Sequence, residues 1–130
     1  YGYRFTNIDN SLILSVTMQF PEGNPEKISK NMTEFTNHRK NTQPSAIYNA
    51  GSVFKNGEDY FAAELIENAG LKGYKIDGVR VSEKHSNFFI ADRDAKSSAL
   101  YKLVNFVKDS VFDKYSVKLE EEIIFVGDFD

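Results

Sequence analysis

The stretch SSALYKLVNFVKDSV, Ser97 to Val111, carries the clearest pattern in the chain. Leu100, Leu103, Val104, Val107 and Val111 recur at helical spacing and share one face, which predicts an amphipathic helix laid on a core. Ser97 or Ser98 is placed to cap it. On its N-terminal side, LKGYKIDGVRVSEKHSNFFIA (71–91) predicts a short strand near Val79–Val81 and a stronger one over Asn87–Ile90. On its C-terminal side, VKLEEEIIFVG (117–127) reads as a closing strand. Further upstream, SLILSVTMQF (11–20) alternates, with Leu12, Leu14, Val16, Met18 and Phe20 on one face of a predicted strand. PEGN breaks that pattern. Asn24 then caps a helix with Pro25 in its first turn, running to about Lys40 with Ile28, Met32, Phe35 and Arg39 on one side. Asp59 is the expected cap of a second helix, with Phe61, Ala62, Leu65, Ile66 and Ala69 inward and Gly70 ending it. The order strand, helix, loop, helix, strand, strand, helix, strand predicts an α+β domain, a small sheet with about three helices packed on it.

The totals agree with one domain. The chain has 130 residues, and its 41% hydrophobic content, with eleven Phe and seven Tyr, suffices for a core without staples. No cysteine is present, which excludes disulfides, a thiolate nucleophile and a cysteine metal site. Two histidines, His38 and His85, leave little for a histidine metal site. A net charge of −3 argues against a general nucleic-acid binder, and no apolar run approaches a membrane span. The first residue is Tyr1 rather than Met, which is expected either from processing or from a piece of a longer chain.

Candidate chemistry gathers in NAGSVFKNG, Asn49 to Gly57. Its Gly-Ser-x-x-Lys string lacks the spacing of a phosphate loop and the flanks of a nucleophile elbow. On local chemistry Ser52 reads first as a turn serine and Lys55 as a solvated lysine. His85 reads as a loop histidine with a ligand contact as the sharper alternative. Arg4 is a surface residue or a carboxylate clamp. Alternation turns one of Glu120, Glu121 and Glu122 inward, where a carboxylate needs a partner or a job.

Six strings in this order resemble one family: GYR at 2–4, TQP at 42–44, AGSVFKN at 50–56, LIENAGLKG at 65–73, VSEKHSNFFI at 81–90 and LEEEI at 119–123. Together they resemble the C-terminal substrate-binding domain of the UDP-N-acetylenolpyruvoylglucosamine reductase family, over essentially the whole chain. The resemblance implies a bacterial, cytoplasmic FAD enzyme that uses NADPH to reduce an enolpyruvyl ether on a UDP-sugar, forming UDP-N-acetylmuramate for peptidoglycan. It implies that Ser52, held out by Gly51, protonates the carbon beside the substrate carboxylate. Arg4 and Glu122 are the implied partners at the developing enolate, where a cation and hydrogen-bond donors lower the barrier. Asn56, Lys55 and His85 are implied substrate contacts, with Tyr3, Arg39 and Gln43 as further ones.

Two departures from the family pattern stand out. Lys-Asn-Pro becomes Lys55-Asn56-Gly57, which predicts a looser loop, and Leu-Glu-Pro-Glu becomes Leu119-Glu120-Glu121-Glu122, which leaves the catalytic Glu to be chosen by position and strand phase, both favouring Glu122. The predicted strand and helix fill most of the span from Arg4 to Ser52, which implies the branch without a Tyr-bearing lid. The family's FAD-binding domains precede this one and are not in these residues, so FAD is not expected to bind here alone. The alternatives from other classes are a stand-alone UDP-sugar-binding module and an interaction domain without a ligand.

Overall fold

The computed structural model describes residues 6–8, 12–45 and 48–129. Its elements are α1 (Pro25–Thr42), α2 (Ala62–Asn68), β1 (Lys75–Ile76), β2 (Val79–Val81), β3 (Phe89–Ala91) and α3 (Ser97–Tyr115). The three strands form one antiparallel sheet in the order β1-β2-β3, with Ile76 opposite Val79 and Val81 opposite Phe89. The expected α+β class is what the chain adopts.

The core forms where the α3 stripe meets the sheet. Leu103, Val104, Val107 and Val111 are fully buried, with Ala99 beside them. They meet Val79, Val81 and Phe89 of the sheet, Ile66 of α2, and Val53 and Phe54 of the loop before α2. Leu100 sits at the edge of this cluster rather than inside it. Burying such side chains contributes about 1.5–3 kcal/mol each. Three rings, Tyr101, Phe125 and Phe129, lie 5.2–5.3 Å apart and draw the C-terminal segment onto α3.

Several local expectations are met. Asn24 caps α1 with its side chain accepting from the Lys27 N–H at 3.0 Å, and Pro25 opens the helix. Gly70, at φ +80°, ends α2, and the Leu71 N–H reaches back to the Ile66 carbonyl at 3.2 Å. Other expectations are corrected. α3 begins at Ser97 itself, with Lys96 at the cap position and no side-chain cap bond, so neither Ser97 nor Ser98 caps it. Asp59 does not cap α2; the Asn56 side-chain oxygen accepts from the Ala62 N–H instead, at 3.1 Å. Phe61 stays exposed.

Residues 12–20 form no strand. Leu12, Leu14, Val16, Met18 and Phe20 are 65–86% exposed. Alternation supplies an apolar face, but a strand needs a neighbour to share its hydrogen bonds, and none pairs with it among the described residues. α1 likewise contributes no buried residue. The expected closing strand is reduced to one β-bridge, Phe54 to Glu121. Conversely, β1 was not anticipated. It is half of a hairpin whose turn, Asp77-Gly78, has φ of +44° and +90°, the positive-φ pair that matches the twist of two strands.

Candidate functional site

Backbone geometry accounts for the local shape around Ser52. Gly51 has φ +81°, a region costly for other residues, and a Cβ there would meet nothing within 4 Å. Glycine is required here by conformation, not by space. The Asn49 side-chain oxygen accepts the Gly51 N–H at 3.0 Å and fixes the turn.

Beyond the turn the chain runs extended between two rails. On one side Ser52 bridges to Phe88, and the Val53 N–H donates to the Asn87 carbonyl at 2.8 Å. Asn87 adds its side chain, accepting the Phe54 N–H at 2.9 Å and donating to the Phe54 carbonyl at 2.8 Å. On the other side the Glu122 N–H donates to the Val53 carbonyl and the Lys55 N–H to the Glu120 carbonyl, both at 2.8 Å. With Val53 and Phe54 fully buried, Ser52 is the last residue before the core.

Ser52 opens onto a cavity of about 730 Å³. Asn49 and Gly51 line it beside Ser52, Phe88 contributes an aromatic surface, and Arg39, Lys40 and Gln43 come from the end of α1. The Arg39 Nε donates to the Gln43 side-chain oxygen at 3.1 Å. The Lys84 ammonium donates to the Lys40 carbonyl, which ties the end of α1 to the turn before β3. Two cations and no carboxylate line this cavity, so its field favours an anionic ligand. A smaller cavity of about 280 Å³ shares Asn49 but is lined mainly by apolar side chains such as Val79, Phe89, Leu100 and Ile123.

The residues anticipated from sequence separate into groups. Ser52, Gly51, Arg39 and Gln43 come together around one cavity. Lys55, Asn56 and His85 do not line it. Lys55 pairs with Glu120, and Asn56 caps α2. The loop expected to be looser is closed by a 3.1 Å bond from the Gly57 N–H to the Tyr60 carbonyl. A Cβ at position 57 would come within 2.2 Å of the Tyr60 ring. His85 accepts the Asn87 N–H on Nδ1 at 3.3 Å and stands edge-on to Phe88, 4.8 Å between centres. Burial holds its pKa below the usual 6.5, against a raising hydrogen bond from the backbone, and the nearby Lys72 charge lowers it further. Of the three glutamates, Glu121 is the half-buried one, and the Lys108 ammonium meets it at 2.6 Å. The Glu122 side chain is exposed, and its N–H is the group on Val53, one residue past Ser52. Arg4 and Tyr3 lie outside the described residues.

Sequence reasoning missed Asn87. Its signal is present only in hindsight: a polar residue, 3% exposed, where strand alternation would place an apolar one. Among the described residues no cluster of His, Asp or Glu is arranged to hold a metal, and no helix is long and apolar enough to cross a membrane.

Residues 43–126 match the family model for the UDP-N-acetylenolpyruvoylglucosamine reductase C-terminal domain. The chain belongs to this family. The matched span begins at Gln43, the residue that follows α1, and takes in Ser52, the Asn87 rail and Glu122. UDP-N-acetylenolpyruvoylglucosamine reductase of Prochlorococcus marinus is 38% identical over 125 residues, covering 95% of this chain and 43% of that protein. Its counterpart in Fervidobacterium nodosum is 41% identical over 127 residues, covering 95% and 41%. The chain thus spans about two-fifths of the length of these curated relatives. The crystal structure of UDP-N-acetylenolpyruvylglucosamine reductase (MurB) from Thermus caldophilus superposes with a TM-score of 0.64 at 31% identity, over 78% of this chain and 36% of that one.

Proposed function

We propose that this chain is the substrate-binding and proton-donating part of a UDP-N-acetylenolpyruvoylglucosamine reductase, serving peptidoglycan synthesis in the bacterial cytoplasm. The observation that carries this reading is Ser52, bridged to Phe88 and leading into a segment held between two rails, at the edge of a cavity lined by Arg39 and Lys40. Relatives named for that activity supply the reaction.

In that reaction the enolpyruvyl double bond takes a hydride at its methylene carbon and a proton at the carbon beside the carboxylate. FAD, reduced by NADPH, supplies the hydride. Neither cavity described here fits a flavin dinucleotide: no glycine-rich turn runs into a helix N-terminus at either one. The part assigned to this chain is therefore binding, orientation and the proton. The two cations draw in an anionic UDP-sugar. The Ser52 hydroxyl gives its proton to the carbon as the C–H bond forms. Serine is a weak acid, so the transfer needs charge-stabilising groups around the enolate. Glu122 and Arg4 are assigned there. Support for Glu122 comes from its place in the chain, where its N–H donates to the Val53 carbonyl one residue past Ser52. Arg39, Gln43, Tyr3, Lys55, Asn56 and His85 are assigned to binding by the family resemblance, although the last three do not line the cavity. The partners are the UDP-sugar and the FAD-binding domains of the longer protein.

Ser52→Ala in the full-length protein tests this. Reduction of the flavin by NADPH is expected to be unchanged, and substrate binding retained. Reoxidation of the flavin by the enolpyruvyl substrate is expected to slow by about 10²–10⁴-fold, the usual worth of a positioned acid. Equal losses in both half-reactions, or no loss in the second, would remove Ser52 from its role.

A further inference from the structure

Asn87 uses one side chain and one carbonyl to hold three successive peptide units, from Ser52 to Lys55. Oδ1 takes the Phe54 N–H, Nδ2 gives to the Phe54 carbonyl, and the main-chain carbonyl takes the Val53 N–H, all at 2.8–2.9 Å. A side-chain amide offers the same donor and acceptor as a peptide group. Asn87 therefore replaces one ladder step of a strand that has already turned away. The turn that carries it is anchored in its own right. Ser86 Oγ donates to the Ala63 carbonyl of α2 at 2.7 Å, and Ser82 Oγ accepts the Lys84 and His85 N–H groups at 3.1 and 3.3 Å. All three side chains, Ser82, Ser86 and Asn87, are at most 3% exposed. A buried polar set of this kind is costly unless every member is paired, and here each one is.

We propose that Asn87 is a positioning residue for the proton transfer assigned to Ser52. The peptide units it holds follow Ser52 directly, so they set the direction in which the Ser52 Cα–Cβ bond meets the cavity. The inference rests on the reading of Ser52 as proton donor. Misplacement of a reacting group by about 1 Å is enough to cost on the order of 10²-fold in rate.

The decisive variant is Asn87→Asp in the full-length protein. The aspartate keeps an acceptor for the Phe54 N–H. Ionised, it sets a negative oxygen against the Phe54 carbonyl; protonated, its O–H restores the missing donor. Burial favours the protonated form at low pH. Substrate-driven reoxidation of the flavin is expected to slow by about 10–100-fold at pH 8 and to recover towards pH 6. Flavin reduction by NADPH is expected to stay unchanged across that range. Added to Ser52→Ala, the substitution is expected to slow the step by less than about two-fold more, because both changes act on one proton transfer. In the 130-residue chain, amide exchange at Val53 and Phe54 is expected to quicken while the α3 core stays protected. Ser86→Ala, which removes the tie to α2 and leaves the Asn87 bonds, is expected to lower the melting temperature without slowing the step.

Asn87→Gln carries the same kinetic test should Asn87→Asp not fold, because it displaces both bonds on a longer arm. A purely structural Asn87 would lower the melting temperature while leaving the rate of the step within about two-fold, or would add its full effect to Ser52→Ala; either outcome overturns the proposal. If Ser52→Ala alone leaves the step fast, the reading of Ser52 falls first and this inference falls with it.

Discussion

Glu120, Glu121 and Glu122 are identical in sequence and adjacent in the chain, yet each meets a different environment. The first pairs with Lys55, the second is half-buried against Lys108, and the third offers its N–H to Val53. Sequence alternation foresaw that one glutamate would turn inward. Strand phase favoured Glu122, whereas Glu121 is the half-buried one, because Lys108, on a helix that sequence cannot place in space, meets it. His85 poses a similar question of environment. Its burial keeps the ring neutral, and neutrality is what lets Nδ1 accept the Asn87 N–H. The unfolded chain takes up a proton near pH 6.5, before the folded one does. Stability from this site is thus complete above pH 6.5 and is lost as the pH falls through the lower folded value. Thermal melts from pH 8 to 5 are expected to show that loss, and His85→Gln to flatten it; an unchanged slope in the variant would assign the acid sensitivity to other groups.

At the scale of elements, Asn56 serves α2 from outside the helix, six residues before the N–H that it accepts. Its two side-chain atoms therefore separate two roles. Asn56→Ala is expected to cost about 1 kcal/mol, the usual loss for a missing cap. Asn56→Asp keeps the oxygen and adds a charge suited to a helix start, so it is expected to melt close to the unsubstituted protein. If substrate binding, followed by titration calorimetry, nevertheless weakens in Asn56→Asp, the amide nitrogen is the part that contacts the ligand. How far such elements were legible follows from the range of the interactions that make them. Asn24 with Pro25, the one-face stripe of α3 and the Gly70 stop are local, and each was read correctly. The Asn87 rail joins residues 33 apart in sequence, and the cap on α2 comes from Asn56, six residues before the N–H it accepts and past the more obvious Asp59; neither was read. The Asp77-Gly78 hairpin was local and still passed over, although Asp-Gly between two apolar residues is a strong turn signal. The alternation at 12–20 was real as a pattern, but a pattern specifies a face and not the strand that must lie beside it.

Across the whole molecule, burial is uneven. Residues from Val53 to Leu119 supply the entire buried core among the described residues, while residues 12–42 supply none of it. Leu103→Ala, at the centre of the α3 stripe, is expected to cost about 2–5 kcal/mol and to broaden the thermal transition of everything from Val53 onwards. The helical signal of α1 should respond separately, since nothing buried links it to that core; a single shared transition would show stronger coupling than the packing implies. The family span beginning at Gln43 falls at the same boundary. One consequence concerns the order in which the chain is made. The rail formed by Glu120 and Glu122 lies far downstream of the serine it steadies. During synthesis Ser52 emerges first, the Asn87 turn follows, and the rail of Glu120 and Glu122 arrives last of the three. A nascent chain thus carries the serine long before it carries the arrangement that gives the serine a use. A polypeptide that stops before Glu120 has the residue but lacks one of the two rails that align the segment after it.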